Sequence, residues 1–216
     1  MNASPDSAEL EALRLSLEVA VRSVGFSLPL AVLAAWVLTR ARFPGRLLLD
    51  AFVHLPLVLP PVAVGYVLLL LFGARGPLGA WLRTQFGVQL AFTTAGAALA
   101  TAVMTFPLML PGILAGAVTA FAAGLGEFGA VITFASNVPG VTRTLPLALY
   151  TAMQSPGGDA LALRLAILSF ALGLTGLLAA EQDAHAPHQQ LGGEQPEQPE
   201  CERHDRKPQC QRVAVG

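Results

Sequence analysis

Three prolines and a glycine interrupt an almost wholly apolar run, HLPLVLPPVAVGYVLLLLF, at residues 54–72. In a soluble helix each interior proline costs about 3 kcal/mol, because it removes a backbone hydrogen bond and clashes with the preceding turn. In a membrane, neighbouring helices and water can satisfy the freed carbonyls. Pro56, Pro60, Pro61 and Gly65 therefore predict a broken helix that lines a path and flexes, as in transport proteins. The alternative is a kinked, static helix that faces lipid.

A lone carboxylate, Glu127, stands in the small-residue stretch AGLGEFGA. Glycines at 124, 126 and 129 let helix backbones approach closely, as small residues do at helix interfaces in membranes. An ionisable side chain in such a place is a functional candidate, so Gly124, Gly126, Glu127 and Gly129 join the path or gating candidates. The alternative is a structural role, in which Glu127 accepts hydrogen bonds from a neighbouring helix end. A negative charge would repel an anionic substrate, which favours that alternative.

No residue pattern points to catalysis. The sequence has no GxxxxGK[ST] phosphate loop, and no nucleophile with a base lies within the apolar runs. The histidines and cysteines of the C-terminal tail are spaced irregularly, unlike the ligands of a zinc site. We therefore predict a protein that is not an enzyme, with no catalytic residue, no metal site and no cofactor.

The composition indicates an integral membrane protein. Hydrophobic residues make up 54% of the 216 residues and charged residues only 12%, which is too apolar for an ordinary soluble domain. The formal net charge of -1 favours no nucleic-acid partner.

The apolar runs predict an all-α, polytopic transmembrane helix bundle of about five spans. Spans are expected at about 19–38, 47–72 and 160–180. The stretch 91–126 would be about 54 Å long as one helix, so we predict two spans that meet in a tight turn at Pro107, Pro111 and Gly112. The predicted domains are an amphipathic lead-in at 1–18, a membrane domain at 19–180 and a disordered polar tail at 181–216.

Three arginines set the expected orientation. Arg40, Arg42 and Arg46 lie in the first short loop, and cytoplasmic loops carry an excess of such residues. We therefore expect the N-terminus outside, the tail in the cytoplasm, and a multi-pass protein of the cytoplasmic membrane.

Four segments carry a resemblance to a known family. FPGR, LPLVLPPVAVGY, GLGEFGAVITFASNVPG and TRTLPLALYTAMQSPGG occur in this order, and together they resemble the permease subunit of a bacterial molybdate ABC transporter. The resemblance covers about 10–180. It implies a homodimer around a central path, a cytoplasmic ATP-binding subunit and an extracytoplasmic molybdate-binding protein. A related oxyanion such as tungstate or sulfate is the alternative substrate.

The chain departs from that family in two places. Such permeases carry a cytoplasmic segment with an EAA-type motif, which docks on the ATPase, but here TFPLM runs directly into LPGILAG. The glutamine- and proline-rich tail also replaces a short basic end. We therefore expect weakened docking and no ATP-driven uptake, and the alternative function is that of a truncated or frameshifted, non-transporting variant.

Overall fold

The computed structural model describes residues 5–40 and 45–185. Every regular element in these two ranges is helical, which confirms the all-α prediction. In chain order the helices are α1 (Pro5–Arg40), α2 (Arg46–Val58), α3 (Pro61–Phe72), α4 (Pro77–Phe86), α5 (Thr94–Thr105), α6 (Ile113–Leu125), α7 (Gly129–Phe134), α8 (Leu145–Met153) and α9 (Asp159–His185). A 3₁₀ turn at Phe106–Met109 follows α5.

Two of the described helices are long and apolar enough to cross a membrane. They are Ser7–Leu38 within α1 and Asp159–Ala179 within α9, which confirms the first and last predicted spans. Residues 5–18 of the predicted lead-in belong to α1. The predicted tail at 181–216 lies almost wholly outside the described residues, since α9 ends at His185.

In the stretch 91–126 the helix is interrupted at the position that the prolines predict. The 3₁₀ turn begins one residue before Pro107, and α6 begins directly after Gly112. A Cβ placed on Gly124 would lie 2.9 Å from Thr101 Cγ2, and one on Gly116 would lie 2.6 Å from Met109 Cα. The helices α5 and α6 therefore form an antiparallel hairpin. Each has only 12 or 13 residues, or about 18 to 20 Å.

The predicted second span at 47–72 is not one kinked helix. It divides into α2 and α3, whose axes are bent by 114° at a break of a few residues. Leu59 has an extended backbone, and Pro60 is the N-cap of α3. Because a proline lacks an N–H and disfavours the α region in the residue before it, the pair at 60 and 61 ends α2 and starts a new helix. The prolines thus predict the break but not its angle.

The main core lies where α3, α5 and α7 meet beside Val19 of α1. Its buried members include Val19, Val64, Ala97 and Phe134. A second cluster joins Ala31 of α1 to Met109 and Ala120 at the other end of the hairpin. Many of these side chains are small, so the helix axes approach closely and dispersion contacts stabilise the bundle.

Candidate functional site

The helices α3 and α7 pack closely because of two glycines. A Cβ placed on Gly65 would lie 2.7 Å from the carbonyl oxygen of Ala130, and one on Gly129 would lie 2.7 Å from Pro61 Cβ. Both distances are shorter than real Cβ atoms tolerate. The fold thus brings together Pro61, Gly65 and Gly129, which the sequence analysis names as candidates from two separate motifs.

The two helices run in the same direction. Pro61 begins α3 beside Gly129 at the start of α7, and Gly65 lies one turn further on, beside Thr133. The far end of α7 is at Phe134, whose carbonyl accepts a hydrogen bond from the backbone N–H of Phe92 at 3.4 Å. Thus α3 and α7 both point towards the start of α5.

Glu127 caps the start of α7. Its Oε1 accepts a hydrogen bond from the backbone N–H of Ala130 at 2.9 Å, and this N–H has no partner within the helix. A carboxylate at a helix N-terminus also interacts favourably with the helix dipole. The contact supports the structural alternative for Glu127, since its carboxylate already accepts a hydrogen bond from the helix that follows it.

The remaining candidates lie apart from the contact between α3 and α7. Gly124 is buried and lets α6 approach α5 at Thr101, whereas Gly126 is exposed in the break between α6 and α7. Pro56 lies inside α2 and Pro60 forms the bend itself. We call the α2–α3 bend together with the α6–α7 break the elbow, where Pro61 contacts Gly129. Pro56 and Gly124 lie within the flanking helices α2 and α6.

Sequence reasoning missed a polar network in the loop that follows α7. The Arg143 Nε donates to Asn137 Oδ1 at 2.9 Å, and Asn137 Nδ2 donates to Thr151 Oγ1 at 2.7 Å. The hydroxyl of Thr142 accepts from the N–H of Val138 and donates to the carbonyl of Ser136. The polar run SNVPGVTRT is the signal that could have located this loop, although its partner Thr151 comes from α8.

An ion pair joins the two long helices. Arg164 Nε of α9 lies 3.1 Å from Glu9 Oε1 of α1. The side chain of Glu9 is 16% exposed and that of Arg164 is 56% exposed, so solvent screens the pair and its contribution to stability is small. The pair joins α9 to α1 and was not predicted from the sequence.

The described residues contain no cluster of three side chains suited to a metal ion. The Nδ1 of His54 instead donates to the carbonyl of Asp50 at 2.9 Å, one helical turn earlier.

The chain is similar to several curated permeases, although no family model matches it. It is 45% identical to the molybdenum transport system permease protein ModB of Escherichia coli K12, over 85% of this chain and 97% of the relative. The protein of the same name from Haemophilus influenzae is 40% identical over the same shares. The sulfate transport system permease protein CysW of E. coli is 32% identical over 67% of this chain and 62% of its own length.

The alignment lengths show that this chain lacks positions that its relatives have. The E. coli molybdenum permease alignment covers 222 positions, but 85% of 216 residues is about 184, so about 38 of its positions face a gap. The sulfate permease alignment gives about the same number, because 67% of 216 residues is about 145 of 183 positions. The tight connection between α5 and α6 lies where the sequence analysis expects a cytoplasmic segment to be missing.

Proposed function

Because the chain belongs to the family of molybdenum transport system permease proteins, we propose that it is the membrane-spanning subunit of an ABC importer that carries molybdate across the cytoplasmic membrane. The observation that carries this proposal is the 45% identity, which extends over 97% of the E. coli relative. The subunit is not an enzyme, and a separate subunit hydrolyses ATP. An extracytoplasmic binding protein delivers the anion.

Two copies of the chain would enclose the path. The exposed sides of α2 and α3 carry large apolar residues, among them Val62, Tyr66 and Leu70, each more than half exposed. Apolar surface of this kind suits lipid or another helix. A homodimer is the simplest arrangement that places two elbows around one centre.

The elbow is the proposed moving part of the path. Its candidates are Pro56, Pro60, Pro61, Gly65, Gly124, Gly126, Glu127 and Gly129. The tight contact at Gly65 and Gly129 would make α3 and α7 move as one body, while the bend at Pro60 absorbs the change in backbone angles. The path would bind the tetrahedral oxyanion weakly through backbone and hydroxyl groups, so the binding protein would provide the selectivity.

The proposed orientation of the chain in the membrane rests on the arginines at the C-terminal end of α1. Arg40 ends α1 and precedes a loop with two further arginines, which supports an external N-terminus. A cysteine introduced at exposed Ser7, with Cys201 and Cys210 changed to serine, is expected to react with an impermeant maleimide in intact cells. Protection until the cells are opened would contradict this orientation.

Uptake in two host strains tests the proposed substrate. One strain lacks its molybdate permease and the other lacks its sulfate permeases, and each keeps the matching ATPase and binding protein. The tested protein is a chimera in which the E. coli relative's extra positions are inserted between Met109 and Leu110. We expect uptake of labelled molybdate in the first strain to rise at least about tenfold, which corresponds to about 1.4 kcal/mol in an activation free energy, without sulfate uptake in the second. Restoration of sulfate uptake alone would contradict the proposal.

A further inference from the structure

The helices α1 and α5 border a long apolar groove made of two adjoining cavities. The first cavity has a volume of about 290 Å³, and its lining includes Arg22, Phe26 and Leu99. The second has a volume of about 260 Å³, and its lining includes Leu30 and Val103. Phe26 and Leu99 line both cavities, so the second continues the first. We call the two cavities together the α1–α5 groove.

The groove has a length that suits an acyl chain within one leaflet. Arg22 of α1 lines the same cavity as Ala95 of α5, and Leu30 lines the same cavity as Val103. Both steps are eight residues along the chain, so the two helices run side by side in the same direction for about 12 Å. One leaflet provides about 15 Å of hydrocarbon, half of a core of about 30 Å.

The walls of the groove are apolar and partly exposed. Phe26 and Leu30 of α1 are 61% and 46% exposed, and Phe52, which α2 adds to the second cavity, is 71% exposed. Ser27 also lines the second cavity, but its hydroxyl donates to the carbonyl of Ser23 at 2.8 Å. A hydrocarbon chain therefore fits the groove, whereas a polar ligand would find few partners.

An ion pair stands at one end of the groove. Arg22 Nη2 lies 2.7 Å from Glu18 Oε1, and the two side chains are 54% and 31% exposed. The stretch 23–39 that follows carries no charged residue. Glu18, Arg22, Phe26 and Leu30 follow one another at intervals of four, so they form one row along α1. This row passes from an acidic side chain through a basic one to apolar ones.

The order of the row matches the order of groups in phosphatidylethanolamine, in which an ammonium group is followed by a phosphate and then by the acyl chains. A guanidinium group has several N–H donors and binds a phosphate through two of them, so Arg22 can bind a phosphate while it keeps its contact with Glu18. The carboxylate of Glu18, one turn before Arg22, can accept from the ammonium group. A headgroup that is only anionic would be repelled by Glu18.

We propose that the α1–α5 groove binds a molecule of phosphatidylethanolamine, with its phosphate at Arg22, its ammonium group at Glu18 and one acyl chain along Phe26 and Leu30. The site does not depend on the anion that is transported. Its assignment to the outer leaflet rests on the proposed orientation, in which the N-terminal end of α1 is outside.

Quenching of a single tryptophan by brominated lipid tests the proposal. The full chain carries Phe26→Trp, with Trp36 and Trp81 changed to phenylalanine, in vesicles of phosphatidylcholine with increasing phosphatidylethanolamine. Only the phosphatidylethanolamine carries bromine on its acyl chains, so the quenching measures its preference for the groove over phosphatidylcholine. The control is Phe170→Trp in the same background, since Phe170 of α9 is 72% exposed.

Phosphatidylethanolamine is expected to be preferred about fivefold at position 26, because exposed charge pairs contribute modestly, and to show no preference at position 170. The double change Glu18→Arg with Arg22→Glu keeps the net charge and an ion pair at a spacing of four residues, so the helix should still form. It reverses the order of the two charges. The preference at position 26 should then fall to that at position 170.

Other results would overturn the proposal. Equal preferences at positions 26 and 170 would mean that the groove holds only ordinary boundary lipid, and a preference that survives the double change would exclude Glu18 and Arg22 as its cause. A stronger preference for brominated phosphatidylglycerol than for phosphatidylethanolamine would mean that Arg22 alone attracts the headgroup. Absence of quenching at position 26 by every brominated lipid would mean that a second copy of the chain covers the groove.

Discussion

ATPase turnover by the partner subunit is expected to stay at its basal rate when this chain is reconstituted with the loaded molybdate-binding protein. The chimera with the restored segment between Met109 and Leu110 is expected to raise that turnover at least about tenfold, which corresponds to about 1.4 kcal/mol in the activation free energy. The vesicles carry the E. coli ATPase subunit and enclose ATP, while the binding protein and labelled molybdate are added outside. Turnover and uptake can then be measured together.

The physical reason is the position of the hairpin turn. Ala31 and Met109 belong to the same buried cluster, while α1 continues nine residues further to Arg40, or about 13.5 Å at 1.5 Å per residue. The turn between α5 and α6 therefore ends well short of the end of α1. ATPase closure can shift the permease only through contacts that differ between its two packings, and this turn offers no helix for such contacts.

The control is the same chimera with the inserted segment replaced by a glycine- and serine-rich linker of equal length. It should insert in the membrane but leave turnover at the basal rate, because a flexible linker transmits no force. Strong stimulation by the unaltered chain would show that another surface couples the two subunits.

The change Gly65→Ala is expected to destabilise the bundle by about 1 to 3 kcal/mol, the usual cost of an added methylene in a packed core. The added methyl group would lie 2.7 Å from the carbonyl oxygen of Ala130 and 2.8 Å from Thr133 Cβ. A backbone oxygen cannot move aside as a flexible side chain does, so α3 must separate from α7. Unfolding in mixed micelles with increasing dodecyl sulfate measures the loss.

A matched control comes from α1. Gly25 lies within a helix, and nothing comes within 4 Å of a Cβ placed there. The change Gly25→Ala should therefore be neutral, or stabilise by up to about 1 kcal/mol through helix propensity. Equal effects of the two changes would contradict a tight contact between α3 and α7.

The sequence predicts the helical breaks better than their geometry. Pro60 and Pro61 forbid a continuous helix whatever surrounds them, so the break between α2 and α3 is predictable. The angle of 114° depends on the packing of α3 against α7, and hence on Gly65 and Gly129. These two residues are 64 positions apart, and no local pattern pairs them.

The candidate site was also predictable in part: its close packing could be predicted from the sequence, and its contacts between distant residues could not. The glycines around Glu127 predict close packing, which the structure confirms at Gly124 and Gly129. The role of Glu127 stays open in the sequence because a carboxylate can cap a helix or face a path. The bond between Asn137 and Thr151 could not be predicted, since it requires α8 to fold back over the loop.

The short central helices also have a consequence for the lipid around the protein. The hairpin helices and α3 are about 18 to 20 Å long, whereas a bilayer has a hydrocarbon core of about 30 Å. This hydrophobic mismatch costs fractions of a kcal/mol for each ångström of thinning. Two copies that place their short helices against each other remove part of the strained lipid boundary between them. Membrane elasticity would then drive the copies together, independently of any specific contact between their side chains.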